Sequence, residues 1–206
     1  MFQLHLQAQL FDKRGKLKLS KAWVSKSFLK NVLGCLAPEI DTGNSYDTVD
    51  IDANTRSNTE EPNVLYCPQT AGGQYVYGYD DTNRNFSDKV GILVGTGDAA
   101  NTALTYTLHQ QIDHGKSAGQ FEYFGGSFGE VTVDGSDTYF DIERIFRNSS
   151  GGSIVVSEYG VSVLRESPIY CYPTLIVRDV FTDPGDKVTV ANGEIFKATY
   201  RMYVTV

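Results

Sequence analysis

The chain has 206 residues, of which 41% are hydrophobic and 21% charged, with a net charge of −7. That is long and apolar enough to bury one sizeable core, and it excludes wholesale disorder. The negative balance argues against a nucleic-acid partner, because phosphate binding needs a concentrated basic face.

Cations gather only between Lys13 and Lys30: Lys13, Arg14, Lys16, Lys18, Lys21, Lys26 and Lys30. They read as a solvated hairpin and helix face, with an electrostatic contact to an acidic partner or nucleic acid as the alternative. The 13 Tyr, 11 Phe and 20 Gly lean towards pleated sheet joined by tight turns. Cys35, Cys67 and Cys171 are odd in number and far apart, so they define neither a disulfide framework nor a zinc site. The first residues, Met1-Phe2-Gln3-Leu4-His5-Leu6, lack the layout of a signal peptide. No apolar run approaches the ~20 residues of a membrane span. The expectation is a soluble protein, made in a cytoplasm, with no membrane partner.

Residues 2–11 alternate, with Phe2, Leu4, Leu6, Ala8 and Leu10 on one face and Gln3, His5, Gln7 and Gln9 on the other. This is the period of a half-buried strand. A turn at Asp12-Lys13-Arg14-Gly15 and renewed alternation at Leu17 and Leu19 predict a hairpin over 2–20. Over residues 24–36 the period changes. Phe28, Leu29, Val32, Leu33 and Leu36 predict an amphipathic helix, capped by Ser25 or Ser27 and stopped before Pro38.

Residues 37–88 form a polar, loop-rich excursion with short strands at 49–51, 64–66 and 75–79. A buried strand follows at 89–94 and ends at Gly95-Thr96-Gly97. Residues 102–113 read as extended, and 121–133 as a twisted or bulged strand pair. The turn formers Asn148 to Ser153 predict a hairpin over 138–164, with Phe146 opposite Val155 and, awkwardly, Glu143 opposite Glu158. Strands at 175–181 and 196–206 follow, separated by the turn signal Asn192-Gly193. The reading is a single domain over 1–206: a hairpin plus helix (1–36), the excursion (37–88) and a core (89–206). Its class is mainly β, an antiparallel β-sandwich or jelly-roll-like domain with one amphipathic helix near the N-terminus.

Chemical motifs are weak. Gly95 to Ala100 follows a strand but lacks the third glycine and the helix of a dinucleotide loop, so it reads as a turn. Asp50, Asp52, Asn54, Asn58 and Glu61 match much of a calcium loop's spacing, yet Thr55 stands where that loop needs glycine. A polar surface loop is the plainer reading. His109 and His114, five apart, fall on opposite faces of a strand, which is poor for one metal. No Gly-x-Ser-x-Gly elbow occurs, and Glu60-Glu61 and Asp80-Asp81 are adjacent carboxylates in polar loops. No cofactor and no catalytic residue is expected. Tyr75, Tyr77, Tyr79, Phe121, Tyr123, Phe124 and Phe128 form an aromatic set that serves either packing or contact. Tyr75, Tyr77, Tyr79, Phe124 and Phe128 are the interface candidates.

Several segments, in order, carry a resemblance: Ser25 to Asn31, Gly91 to Gly97, His109 to Gly115, Arg144 to Gly152, Val156 to Val161, Leu175 to Val180 and Val188 to Gly193. The chain resembles small tailed-bacteriophage proteins encoded among virion genes. The stretch from Asn148 to Val161 is similar to β-sandwich segments of phage tail and fibre proteins. The resemblance spans most of the chain outside residues 37–88 and carries over no catalytic residues. It implies a non-enzymatic virion component in head decoration, neck or tail, whose partners are copies of itself and other virion proteins. The alternative is a receptor- or carbohydrate-binding β-sandwich at a tail or fibre tip, with a host surface glycan as partner. A weaker third reading is an enzyme acting on cell-wall or capsule sugars. Arg144, Glu158, Arg178 and Asp179 are expected to be inward or interfacial charges that pair with each other or with neighbouring subunits.

Overall fold

A computed structural model describes residues 2–25, 27–32, 46–50, 52–58, 65–66, 88–166 and 171–205. Its strands run in chain order as β1 (Phe2–Phe11), β2 (Leu17–Ser25), β3 (Tyr46–Val49), β4 (Thr55–Asn58), β5 (Leu65–Tyr66), β6 (Gly91–Gly95) and β7 (Glu122–Phe128). Then come β8 (Thr132–Asp134), β9 (Asp137–Arg147), β10 (Ile154–Val156), β11 (Glu158–Glu166), β12 (Cys171–Val180), β13 (Val188–Val190) and β14 (Ile195–Thr205). Among the described residues, every pairing of these strands is antiparallel. The class is therefore mainly β, as the alternating sequence predicts.

The larger sheet has the order β2-β1-β14-β9-β7, with β8 also pairing β9. Its spine is long-range: β1, at the start of the chain, lies beside β14, at its end, from Phe2↔Val204 to Phe11↔Ile195. The smaller sheet has the order β12-β11-β5, with β6 also on β11. One buried cluster joins the two sheets. Leu4, Leu6, Phe196, Tyr200, Ile142 and Phe146 come from the larger sheet; Ile92, Val94, Tyr159, Val161 and Val177 come from the smaller. Tyr159 lies 6.1 Å from Phe196, centroid to centroid, across that boundary. The driving force is burial of alternate side chains on facing strands.

The hairpin over 2–20 is present. Its second strand runs on to Ser25, and Gly15 takes the positive φ that the turn requires. The bulge expected within 121–133 is also present, between Tyr123 and Gly126.

Two expectations need correction. The amphipathic helix over 24–36 is not formed in its described part. Val24 and Ser25 finish β2, and Phe28 bridges Val177. The Leu29 amide donates to the Ile176 carbonyl, and one helical turn covers Lys30 to Val32. The apolar spacing of Phe28 and Leu29 serves the edge of β12, so tertiary pairing overrides a local helical period. Residues 33–36 lie outside the described residues.

The hairpin over 138–164 is likewise replaced. Its loop exists, organised by Asn148, whose amide donates to the Gly152 and Val190 carbonyls. However, β9 pairs with β14 and β7, while β11 pairs with β12 and β6. Glu143 therefore faces Thr199, and the like-charge clash with Glu158 does not arise.

Candidate functional site

Four charged side chains on strands turn inward, and each is answered within the chain. Among the described residues, Glu158 and Arg178 form the most deeply buried ion pair, with Arg178 Nε 2.6 Å and Nη2 2.5 Å from Glu158 Oε1. The pair lies on the side of β11 opposite Tyr159 and Val161. Both Glu158 oxygens also accept backbone amides, from His109 at 2.7 Å and Gln110 at 3.2 Å. Arg178 donates further to the Ala99 carbonyl and to Asn101. One ion pair thus ties β11 and β12 to the segment 96–111, which folds back along β6 through Thr96 N–H to Gln110 O and Ile112 N–H to Val94 O.

This contact explains two glycines that the sequence leaves as a simple turn. A Cβ on Gly95 would meet the Glu158 carboxylate and come within 2.6 Å of the Gln110 carbonyl oxygen. On Gly97 it would stand 2.6 Å from Glu158 Oε2. The Gly95-Thr96-Gly97 stretch is a close-approach site for a carboxylate of the chain itself.

Arg144 is held differently. Its guanidinium donates to the carbonyls of Phe124, Val90 and Ile92 and lies 4.8 Å from the Tyr123 ring centroid. Carbonyl dipoles and an aromatic face contribute to its stabilisation. Asp179 accepts from Ser25 Oγ and Tyr200 Oη, both at 2.9 Å, and so links β12 to β2 and β14 across the core. Burial pushes its carboxyl above the usual range, against the opposing pull of the hydroxyls of Ser25, Ser27 and Tyr200. Burial also pushes the Tyr123, Tyr159 and Tyr200 hydroxyls up. The expectation that Arg144, Glu158, Arg178 and Asp179 point inward holds, but only Glu158 and Arg178 pair with each other.

The calcium-spaced residues are placed as follows. Asp50 Oδ1 accepts from the amides of Asp52 and Asn54, and the Asn54 side-chain amide turns onto the same carboxylate. Asp50 and Asn54 thus build the turn between β3 and β4, with Ala53 at a positive φ of 68°. Asp52 points to Lys89 at 3.6 Å. Asn58 sits at the far end of β4 opposite Tyr46, and Glu61 lies outside the described residues. Among the described residues no group of three or more His, Cys, Asp or Glu side chains is placed to hold a metal ion.

Of the interface candidates, Tyr75, Tyr77 and Tyr79 lie outside the described residues. Phe124 is half-buried at the bulge of β7, and Phe128 sits in β7 opposite Ile142. Phe121 and Tyr123 are core residues. His114 Nδ1 accepts the Tyr123 amide, while its own amide donates to Asp88. His109 is exposed.

The outer face of the larger sheet carries an arrangement that the sequence reading missed. Arg201 makes a two-pronged contact with Asp141, at 2.8 Å to each oxygen, and lies 4.1 Å from the Tyr139 ring centroid. Tyr203 Oη contacts Gln3 and His5, whose ring meets the tyrosine edge-on. Finding this set required the β1–β14–β9 register, which only long-range pairing supplies. The signal for Val131 and Val133 was local: Glu-Val-Thr-Val-Asp alternates cleanly, yet both valines stand in solvent.

No family model, curated protein or solved structure matches this chain. Among the described residues, no helix is long and apolar enough to cross a membrane.

Proposed function

We propose that the chain is a non-enzymatic structural subunit of a tailed-phage particle. Made in the host cytoplasm, it is incorporated into the virion through contacts with copies of itself and other virion proteins. Its two sheets act as an antiparallel β-sandwich scaffold, and its place is head decoration, neck or tail. Two features together carry this reading. The inward charges Arg144, Glu158, Arg178 and Asp179 are engaged in holding the sheets and loops together, whereas Leu104, Val131 and Val133 project into solvent. Ionisable groups committed to internal bonds are poor acids, bases and nucleophiles, while exposed apolar side chains mark contact surfaces. The assignment to a phage particle rests on the sequence resemblance.

Quantitative mass spectrometry of purified particles tests it. Hundreds of copies per particle indicate decoration or a tube, and a handful to a dozen or two indicate a neck, baseplate or tip. Absence from particles contradicts the reading.

A second reading has its own observation. The outer-face set of Tyr139, Arg201, Asp141, His5, Tyr203 and Gln3 offers ring edges and bidentate polar groups on one face of the sheet, a chemistry suited to a host surface glycan. Binding of the isolated protein on a glycan array, lost in Tyr203→Ala, would favour it.

A further inference from the structure

The larger sheet is longer than the core beneath it, and its two ends differ in charge. At one end, β9 begins at Asp137 beside Thr205, and β8 lies along its first residues. Here Val131 and Val133 are 69% and 72% exposed, and Val204 is 41% exposed. In the register Val133↔Thr138↔Val204 the two valines share one row of the pleat, on the face that elsewhere builds the core. Phe140 and Met202, the next row in, are only partly buried. Exposed Glu130 and Asp134 flank the valines, and half-exposed Asp137 adds a third carboxylate. Residues 129–138 contain no Lys or Arg.

The opposite end carries the turn between β1 and β2. Leu17 is 47% exposed there, and Lys13, Arg14 and Lys16 are exposed around it. The one carboxylate of this turn, Asp12, accepts the amides of Arg14 and Lys16 and is held below the usual range, first by the Lys16 amide. Lys18 is matched by Glu194. The two ends are separated by the length of strands of ten and eleven residues, roughly 30 Å at a normal rise.

An apolar patch with an acidic rim therefore stands at one end, and an apolar residue with a basic rim at the other. We propose that copies of this chain stack head to tail along the strand direction. The Glu130–Asp134 end of one copy seats on the Lys13–Leu17 end of the next. A self-complementary twofold contact would place like charges against each other at either end. The unlike ends match in both charge and apolarity, which gives a polar, heterologous contact that repeats. This inference rests on the self-assembly reading above and specifies its geometry.

Sedimentation velocity across a concentration series at low and high salt tests it. Wild-type protein shifts to dimers and longer species with concentration, and salt reverses the shift. The pair Glu130→Lys, Asp134→Lys and the pair Arg14→Glu, Lys16→Glu each weaken self-association by about tenfold or more. Mixing the two variants restores growth beyond the dimer, because the native basic end of one meets the native acidic end of the other and the two reversed ends are again opposite in charge. All substituted side chains are exposed, so unchanged thermal unfolding shows that the fold is intact. A wild type that stays monomeric at every concentration overturns the stacking without touching the protein's presence in particles. Wild-type assembly that neither charge reversal weakens overturns the choice of ends.

Discussion

The Glu158–Arg178 pair and the Arg201–Asp141 pair have the same chemistry and opposite surroundings. The first is almost wholly buried, shares its oxygens with two backbone amides and anchors the segment 96–111. The second lies on the outer face of the larger sheet, with 45% of the arginine side chain exposed. Their geometries are comparable, at 2.5–2.8 Å, so geometry does not separate them. Water does. A buried partner left alone keeps a charge that it cannot solvate, whereas an exposed partner left alone is simply hydrated. In this chain the inner pair is part of the fold, and the outer pair is available to a surface.

The comparison is broken most severely from the inside. Arg178→Ala leaves the Glu158 carboxylate to its two amide donors and removes the donors to the Ala99 carbonyl and the Asn101 side-chain oxygen. A loss of about 3–5 kcal/mol is expected in chemical denaturation, and an unchanged midpoint would refute the anchoring role. Gly95→Ala presses a methyl group on the same carboxylate and on the Gln110 carbonyl. It should cost about 1–3 kcal/mol, with amide exchange rising first in residues 96–112.

Asp179→Asn sharpens the comparison through pH. The folded-state carboxyl is raised above its ordinary value by burial. The folded protein therefore holds a proton that the unfolded chain has already released. That contribution to stability is full below the ordinary carboxylate range and is lost as pH rises through the raised folded value. The asparagine variant lacks this dependence. Its stability relative to wild type should improve steadily from acid towards neutral pH in parallel denaturation series, and a constant difference would contradict it. Smallest of all, Arg201→Ala should cost no more than about 1 kcal/mol, with most of the loss vanishing in high salt.

Legibility in the sequence followed the range of the contacts. The alternation of Leu4, Leu6, Ala8 and Leu10, and that of Phe196, Ala198 and Tyr200, announced the two strands at the centre of the larger sheet. The turns at Gly15 and Gly193 were equally plain, because both use glycine at positive φ. Partners were not legible. Asn148 to Ser153 does form its loop, but the chain leaves it as β10, which pairs with β13, and β9 takes its neighbour from nearly fifty residues further on. Phe28, Leu29 and Val32 carry a helical spacing that the edge of β12 puts to another use. The inward direction of Glu158 and Arg178 was readable from charges set in apolar strands. The reason for Gly95 and Gly97 was not, since it depends on a carboxylate some sixty residues away.

The account's central claim is that the charges inside hold the fold while the ends of the larger sheet carry the assembly. Hydrogen–deuterium exchange on dilute and concentrated protein tests this most directly. The account predicts that concentration slows exchange in residues 130–134 and 13–17 and leaves the amides of β11 and β12 unchanged. Slowing confined to other surfaces, or no concentration dependence at all, would contradict it.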